Sequence, residues 1–281
     1  NQTLRPRILA TRQNAGFLFT HHKHKTMSTP KHLRDHALIL RTQNLGEADR
    51  IIIMLTQNNG VIHAVAKSIR KPNSKFGARL EPYMHTDISL TRGKTNLHTI
   101  SQTATIHAYT ATLMGNYNAY TAANTIAEIA ETLNTNSTPH DTNPHYHLTH
   151  GAIATLAHNK HTPQRILTIY ILRAMKFAGW LIFTDTCTYC NQPITTGYHP
   201  AGTHGITGTL CKTCAHQNDT PTTPITPTEY NYIQALYKGN WDTIDNASPL
   251  AARKILNLTL HTTQNYLETP LKTLTYLELE T

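Results

Sequence analysis

Four cysteines are the residues of this sequence whose type and spacing indicate the most specific chemistry. Cys187 and Cys190 form one Cys-x2-Cys pair, and twenty residues later Cys211 and Cys214 form a second. Each pair can place two thiolates on one turn, and two such turns complete a tetrahedral four-sulfur zinc site. Because four cysteines leave no coordination position for water, we expect one structural Zn²⁺ per chain. Two local disulfides, or a site that has lost its metal, are the alternatives.

Basic residues form a second candidate site. Five of them lie between residues 67 and 79, where no acidic residue occurs: Lys67, Arg70, Lys71, Lys75 and Arg79. A hairpin that delivers such a loop is suited to binding phosphate groups, whereas a solvated charged loop is the alternative. Arg50, Arg92 and Lys94 extend the same basic region along the chain. We therefore predict that these eight residues form one phosphate-binding surface.

The charge of the chain is unevenly distributed. Residues 1–33 contain six Lys/Arg and no acidic residue, and residues 34–110 contain ten basic and five acidic residues. Residues 111–281 contain nine basic and eleven acidic residues, which brings the net charge of the chain to +9. This asymmetry predicts a first half that faces a polyanion and a near-neutral second half. Four cysteines are too few for a disulfide-built secreted fold, which favours a reducing cytoplasm, and no run approaches the ~18 apolar residues of a membrane span.

The elements that must position these residues begin with strands. Five strand signals occur in HALILRTQ, ADRIIIMLTQ, VIHAVAKS, YMHTDISLTR and LHTISQTATIH. Turn signals such as Asn58-Asn59-Gly60, which can supply positive φ angles, separate them. Five strands in so small a domain predict a five-stranded Greek-key barrel of the OB type over residues 31–110, and a small SH3-like barrel is the alternative.

Residues 111–281 are predicted to form an α-helical domain that carries a four-cysteine zinc ribbon, the zinc module at 185–217, so the fold class is α+β. A polar linker is expected over Asn134–Pro144, and a buried helix from Thr162-Pro163 to Leu181. Thr226-Pro227-Thr228-Glu229 has the spacing of a capping box and predicts another helix start. Residues 1–30 are predicted to be a disordered basic leader or an upstream extension.

Motifs of enzymes are not found in this sequence. Gly93-Lys94-Thr95 resembles the end of a phosphate-binding P-loop, but Ile88 stands where the first glycine is required. The sequence has no Gly-x-Ser-x-Gly and no His-Glu-x-x-His motif, and its acidic residues are scattered. We therefore expect no catalytic residues and no enzymatic activity.

The segment around the basic residues resembles the RecO family of bacterial recombination mediators. A Leu-Gly-Glu-x-Asp-Arg segment is present at residues 45–50, and Ala66-Lys67, Arg70, Ser74 and Lys75 match the family's basic loop. The cysteine pairs and residues 266–274, YLETPLKTL, also resemble the carboxy-terminal region of that family. The resemblance covers residues 31–281 and is densest over 40–92.

This resemblance implies a non-catalytic cytoplasmic, nucleoid-associated protein of DNA damage repair and recombination by the RecF pathway. Such proteins bind single- and double-stranded DNA and anneal complementary strands. They also bind the C-terminal tail of single-stranded-DNA-binding protein and, with RecR, help to load RecA. A zinc-containing OB-fold RNA-binding protein is the alternative, and a zinc-dependent nucleic-acid enzyme a more distant one.

The resemblance also implies a peptide site on the helical domain. An acidic tail that ends in an apolar residue needs an apolar groove and a cation for its carboxylate. The candidate cations are Arg173, Lys176, Arg253 and Lys254. At the cysteine module, Asn191 and Ala215 stand where the family favours glycine. Asn tolerates the left-handed conformation and Ala does so poorly, so the second turn is expected to differ.

Overall fold

The computed structural model of the chain describes residues 32–93, 97–135, 139–200, 208–217 and 221–277, the side chains of 139–142 excepted. The predicted leader at residues 1–30 and the candidate phosphate ligand Lys94 lie outside the described residues.

Five strands make up the first part of the fold. They are β1 (His32–Leu45), β2 (Asp49–Thr56), β3 (Gly60–Ala66), β4 (Met84–Thr91) and β5 (His98–Ala108). They close into a barrel in the order β1-β2-β3-β5-β4. The long strand β1 closes it, because its first half pairs with β4 and its second half with β2. Neighbouring strands are antiparallel, except that β3 and β5 are parallel.

The hairpin between β2 and β3 explains how the sequence produces this register. The β-branched run from Ile51 to Ile53 favours an extended chain, and Thr56 pairs with Gly60 across the turn. Of the three turn residues expected to take positive φ, only Gly60 does so, at +73°. The buried Asp35 carboxylate fixes the turn by accepting hydrogen bonds from the backbone N–H of Asn58 and from its side-chain amide.

The second part of the fold is mainly helical. Its helices are α1 (Thr110–Met114), α2 (Tyr117–Asn134), α3 (Pro139–His158), α4 (Pro163–Phe177), α5 (Lys212–Gln217), α6 (Pro227–Lys238), α7 (Trp241–Asp245) and α8 (Pro249–Leu267). Two short antiparallel strands, β6 (Gly197–Pro200) and β7 (Thr222–Ile225), lie between α4 and α6. Among the described helices, none combines the length and the apolar composition that crossing a bilayer requires.

Several helix boundaries differ from the sequence-based prediction. The linker predicted over Asn134–Pro144 is wrong, because α3 already begins at Pro139 and includes Pro144. Helix α4 ends at Phe177 rather than Leu181, because Gly179 takes a left-handed φ of +88°. The capping box at the start of α6 is confirmed, since Thr226 accepts from the Glu229 N–H and the Glu229 carboxylate accepts from the Thr226 N–H.

One strand of the barrel contributes to two hydrophobic cores. Ala37 and Ile39 of β1 belong to the core inside the barrel, together with Ile52 and Met54 of β2. The alternate residues Leu38 and Leu40 belong instead to the core formed with the helices. Because successive side chains of a strand point to opposite faces, β1 is buried on both sides over this stretch.

Tyr83, just before β4, makes a second connection between the barrel and the helices. Its side chain is buried in the core that includes the helices, and its hydroxyl donates to the Asn124 side-chain oxygen on α2 at 2.5 Å. Its backbone φ is +68°, a left-handed value that is rare for a bulky residue. The packing and the hydrogen bond therefore hold this residue in an unfavourable backbone conformation.

We predict that Leu38→Ala destabilises the barrel and the helices together, by about 3 kcal/mol, because it leaves a cavity in the core that they share. Both tryptophans, Trp180 and Trp241, lie in the helical part. Urea unfolding followed by tryptophan fluorescence and by far-UV circular dichroism should therefore show the same lowered midpoint.

Leu45→Ala is the matched control, because Leu45 ends the same strand with 39% of its surface exposed. It should cost less than about 1 kcal/mol. An unchanged tryptophan transition in Leu38→Ala would show that the helices do not depend on the barrel.

Candidate metal centre and nucleic-acid interface

The four cysteines are presented by a small module between α4 and α6. Cys187 and Cys190 lie on a tight turn, which the Asn191 N–H closes by donating to the Cys187 carbonyl at 2.9 Å. Asn191 takes the left-handed φ of +57° expected at this position. The second pair is different: Cys211 immediately precedes α5, and Cys214 and Ala215 lie within that helix. An alanine suits this position because α5 continues as a right-handed helix there.

Two glycines allow the module to pack closely. Gly208 has a φ of +87°, and a Cβ atom there would lie 2.5 Å from the Thr188 hydroxyl. A Cβ on Gly197 would lie 2.7 Å from the Leu210 carbonyl oxygen. Leu210 in turn exchanges two backbone hydrogen bonds of 2.8 Å with Tyr198. This pairing holds the segment before Cys211 against β6.

The separation of the sulfur atoms matches tetrahedral coordination. All four Sγ atoms lie within 4.8 Å of one another, and Cys190 Sγ is 3.7 Å from Cys211 Sγ. A Zn–S bond of about 2.3 Å and tetrahedral angles require Sγ atoms about 3.8 Å apart. All four cysteines are free, so the alternative of two local disulfides is not found. The four thiols therefore form a cluster whose spacing can hold a metal ion.

The thiol pKa values also suit a cation. Burial raises the pKa of Cys187, but hydrogen bonds from the backbone of Cys190 and of Cys211 outweigh it and lower this pKa to about 6. The hydrogen bond shared with Cys211 raises the pKa of Cys214 to about 12. The Cys187 thiol thus ionises readily, whereas the neighbouring sulfur atoms oppose ionisation of Cys214. A bound divalent cation would remove that repulsion.

The predicted phosphate-binding residues lie on one connection and its neighbours. Five exposed cations follow β3 in the segment that leads to β4: Lys67, Arg70, Lys71, Lys75 and Arg79. Three of them are oriented by backbone carbonyls, because Arg70 donates to Gly46, Lys75 to Ser101 and Arg79 to Lys75. Within the described residues, the ammonium groups of Lys67 and Lys71 make no hydrogen bond or ion pair.

The remaining predicted cations differ in their surroundings. Arg92 is exposed at the end of β4. Arg50 is only partly exposed, and its guanidinium donates to the Glu81 carboxylate at 2.8 Å, which neutralises part of its charge. Lys94 lies outside the described residues. Arg50 is therefore a weaker candidate for phosphate contact than the exposed cations of the loop.

A groove of about 400 Å³ borders the basic loop on the barrel surface. Lys75 and Phe76 line it from the loop, and Ser89 and Gln102 line it from β4 and β5. Arg34, also in its wall, forms an ion pair with Asp87 and thereby lowers the pKa of that carboxyl group. The groove is polar, with a single cation not paired to a carboxylate in its wall.

The four candidate cations for a peptide do not share one site. Arg173 lines a mainly apolar groove of about 540 Å³ between α3 and α4, together with Leu148, Ile169 and Phe177. Lys176 is exposed on the next turn of α4. Lys254, on α8, is instead bound by the Glu229 carboxylate at 2.8 Å, and its neighbour Arg253 borders a smaller pocket. The structure thus separates Arg173 and Lys176 from Arg253 and Lys254.

One cluster of chemically capable residues was missed by the sequence analysis. His85 of β4, His107 of β5 and His150 of α3 bring ring nitrogens within 4.8 Å of one another. His85 and His107 are cross-strand partners, a relation that only the β4–β5 register reveals. The single signal in the sequence is the high histidine content, nineteen of 281 residues, and it does not indicate which of them meet.

Comparisons with known proteins agree for both parts of the chain. Residues 27–109 match the family model described as recombination protein O N terminal, and residues 114–275 match recombination protein O C terminal. A protein of Bifidobacterium longum (strain DJO10A) named DNA repair protein RecO is 38% identical over 242 residues, which are 86% of this chain and 96% of the relative.

A second relative of the same name supports this result. The protein from Bifidobacterium animalis subsp. lactis (strain AD011) is 37% identical over 249 residues, which are 87% of this chain and 98% of the relative. The two family models together match well over half of the chain. The chain therefore belongs to the RecO family of DNA-repair proteins, which are mediators and not enzymes.

Proposed function

We propose that this chain binds single- and double-stranded DNA, anneals complementary strands and, with RecR, helps to load RecA onto DNA coated by single-stranded-DNA-binding protein. The observation that carries the proposal is the set of five exposed cations on the connection from β3 to β4 of a RecO-family chain. Such work would take place in the cytoplasm, at the nucleoid.

The barrel would present these cations as an OB-type domain does. The closed order β1-β2-β3-β5-β4, with β3 parallel to β5, supports an OB-type Greek-key barrel over residues 31–110. Phe76 and Tyr83, two aromatic residues near the basic loop, are buried and unavailable for stacking on bases. Phosphate contacts should therefore dominate, which gives weak sequence selectivity and a strong dependence on salt.

The helical part, residues 111–281, would contribute the zinc module and a protein-binding groove. One Zn²⁺ held by Cys187, Cys190, Cys211 and Cys214 would fix the module structurally and leave no position for a reacting water. The groove beside Arg173 combines apolar walls with a cation, as an acidic tail that ends in an apolar residue requires. Lys176 would assist there, whereas Lys254 is already paired with Glu229.

We predict that Cys211→Ser lowers the zinc content by one ion per chain and lowers the Tm, because metal binding and local folding are coupled. Zinc measured by atomic emission and a thermal melt test this. Thr213→Ala, at an exposed position between the two ligands, is the control and should keep the zinc. A zinc-free wild-type protein with four free thiols and the same Tm as the zinc-loaded protein would contradict the structural role.

We predict that Lys67→Glu combined with Lys71→Glu weakens DNA binding by tenfold or more, which is about 1.4 kcal/mol of binding free energy. These two lysines are chosen because their ammonium groups support no contact within the described part of the chain. If about five phosphates are neutralised, the slope of log affinity against log salt is near −3.5 for a single strand, and losing two contacts reduces its magnitude by about 1.4.

The charge-matched control for this test is Lys160→Glu combined with Lys238→Glu, two exposed lysines of the helical part. Filter binding over a salt series should separate the two double variants, and strand annealing should fall in parallel with binding. Undiminished DNA binding by Lys67→Glu/Lys71→Glu would transfer the interface to the helical part.

We predict that Arg173→Ala weakens binding of a synthetic acidic peptide with a C-terminal apolar residue by at least about tenfold, since a charge-assisted hydrogen bond to the terminal carboxylate is lost. Fluorescence anisotropy measures this, and Lys212→Ala, an exposed lysine of the cysteine module, is the control. Equal binding by Arg173→Ala and wild type, or equal binding of a peptide without its last residue, would rule out this groove.

A further inference from the structure

Three histidine rings meet where the barrel contacts helix α3. His85 Nδ1 lies 3.0 Å from His107 Nδ1, its cross-strand neighbour, and the ring centroid of His150 lies 4.1 Å from that of His85. Each of the three residues can offer a ring nitrogen within 4.8 Å of the other two. Ligands on a tetrahedral Zn²⁺ with Zn–N bonds of about 2.05 Å lie about 3.3 Å apart. The rings therefore need only small shifts to surround one cation.

Two tyrosine hydroxyl groups orient these rings. His85 Nε2 is 2.7 Å from the Tyr146 hydroxyl, and His150 Nε2 is 3.0 Å from the Tyr109 hydroxyl. In metal sites a ligating histidine typically donates its other ring N–H to an oxygen, which fixes the tautomer and directs the remaining lone pair at the metal. For His85, a bond from Nε2–H to Tyr146 leaves Nδ1 as the ligand atom, and this is the atom that faces His107.

The surroundings leave this set of ligands accessible from one side. His85 is buried, His150 is partly exposed and His107 is exposed, so the cluster is open to solvent on one side. Burial, followed by the neighbouring histidines, lowers the pKa of His85 to about 3. Burial also lowers the pKa of His150. Burial thus favours the uncharged imidazole at His85 and at His150, the form that binds a metal ion.

We propose that His85, His107 and His150 form a second metal site, separate from the cysteine module, that binds Zn²⁺ with its fourth position open to water. Imidazole ligands and three-histidine coordination favour Zn²⁺ among the common cations. The ligands come from β4, β5 and α3, so the ion would join the barrel to the helical part.

The zinc content of four full-length proteins tests this proposal: wild type, His107→Ala, Tyr146→Phe and His63→Ala. After equilibration with buffered free Zn²⁺, wild type should hold one ion per chain more than His107→Ala. His107 is substituted because it is the exposed member, so the fold should survive. His63→Ala, an exposed histidine of β3 outside the cluster, should match wild type. Histidines of residues 21–24 give the same background in every protein.

Affinity and spectroscopy distinguish this site from the cysteines. Tyr146→Phe should bind the histidine-dependent ion about 10- to 100-fold more weakly, because it keeps the ring but removes the orienting oxygen. Co²⁺ added to wild type that carries zinc at the four cysteines only should give ligand-field absorption without thiolate charge transfer, and His107→Ala should lose it. Equal zinc content in wild type and His107→Ala, or no cobalt spectrum that depends on His107, would show a hydrogen-bonded cluster only and overturn the proposal.

Discussion

The burial of strand β1 on both faces is the constraint on which the rest of this structure depends. Residues 37–40 are all buried, alternately in the barrel interior and in the core that includes the helices. An apolar side chain of this size contributes about 1.5–3 kcal/mol when it is fully buried. The barrel therefore has an apolar outer surface that must be covered, and α2 and α3 provide the cover. The Tyr83–Asn124 hydrogen bond adds a directional contact to this packing.

This packing divides the barrel surface into a covered and an exposed region. The exposed region includes the connection from β3 to β4, and long cationic side chains there remain solvated and available to phosphate. The edge of the covered region includes the ends of β4 and β5 that approach α3, where the buried His85 and the exposed His107 meet His150. The same small barrel thus carries two different features. The basic surface lies in solvent, and the histidine cluster lies where the barrel meets α3.

Elements with a strong local signal were predictable from the sequence, and those with a tertiary cause were not. The β-branched strands, the capping box of α6 and the Cys-x2-Cys pairs depend on neighbours within a few residues. The first turns of helix α3 were predicted to be linker because they are polar and contain Pro144, yet they are helical in the folded chain. The strands β6 and β7 pair segments more than twenty residues apart, and β7 lies beyond the ribbon predicted at 185–217.

The sequence by itself determined the family, the α+β class, the four thiols of the cysteine cluster and the basic character of the first half, because each is carried by residue types at fixed spacing. Only the tertiary structure decided which cations are available, since Arg50 meets Glu81 and Lys254 meets Glu229 across long distances in sequence. It also decided that Arg173 borders an apolar groove and that three of nineteen histidines converge. Side-chain neighbours of this kind follow from register and packing, which spacing along the chain does not specify.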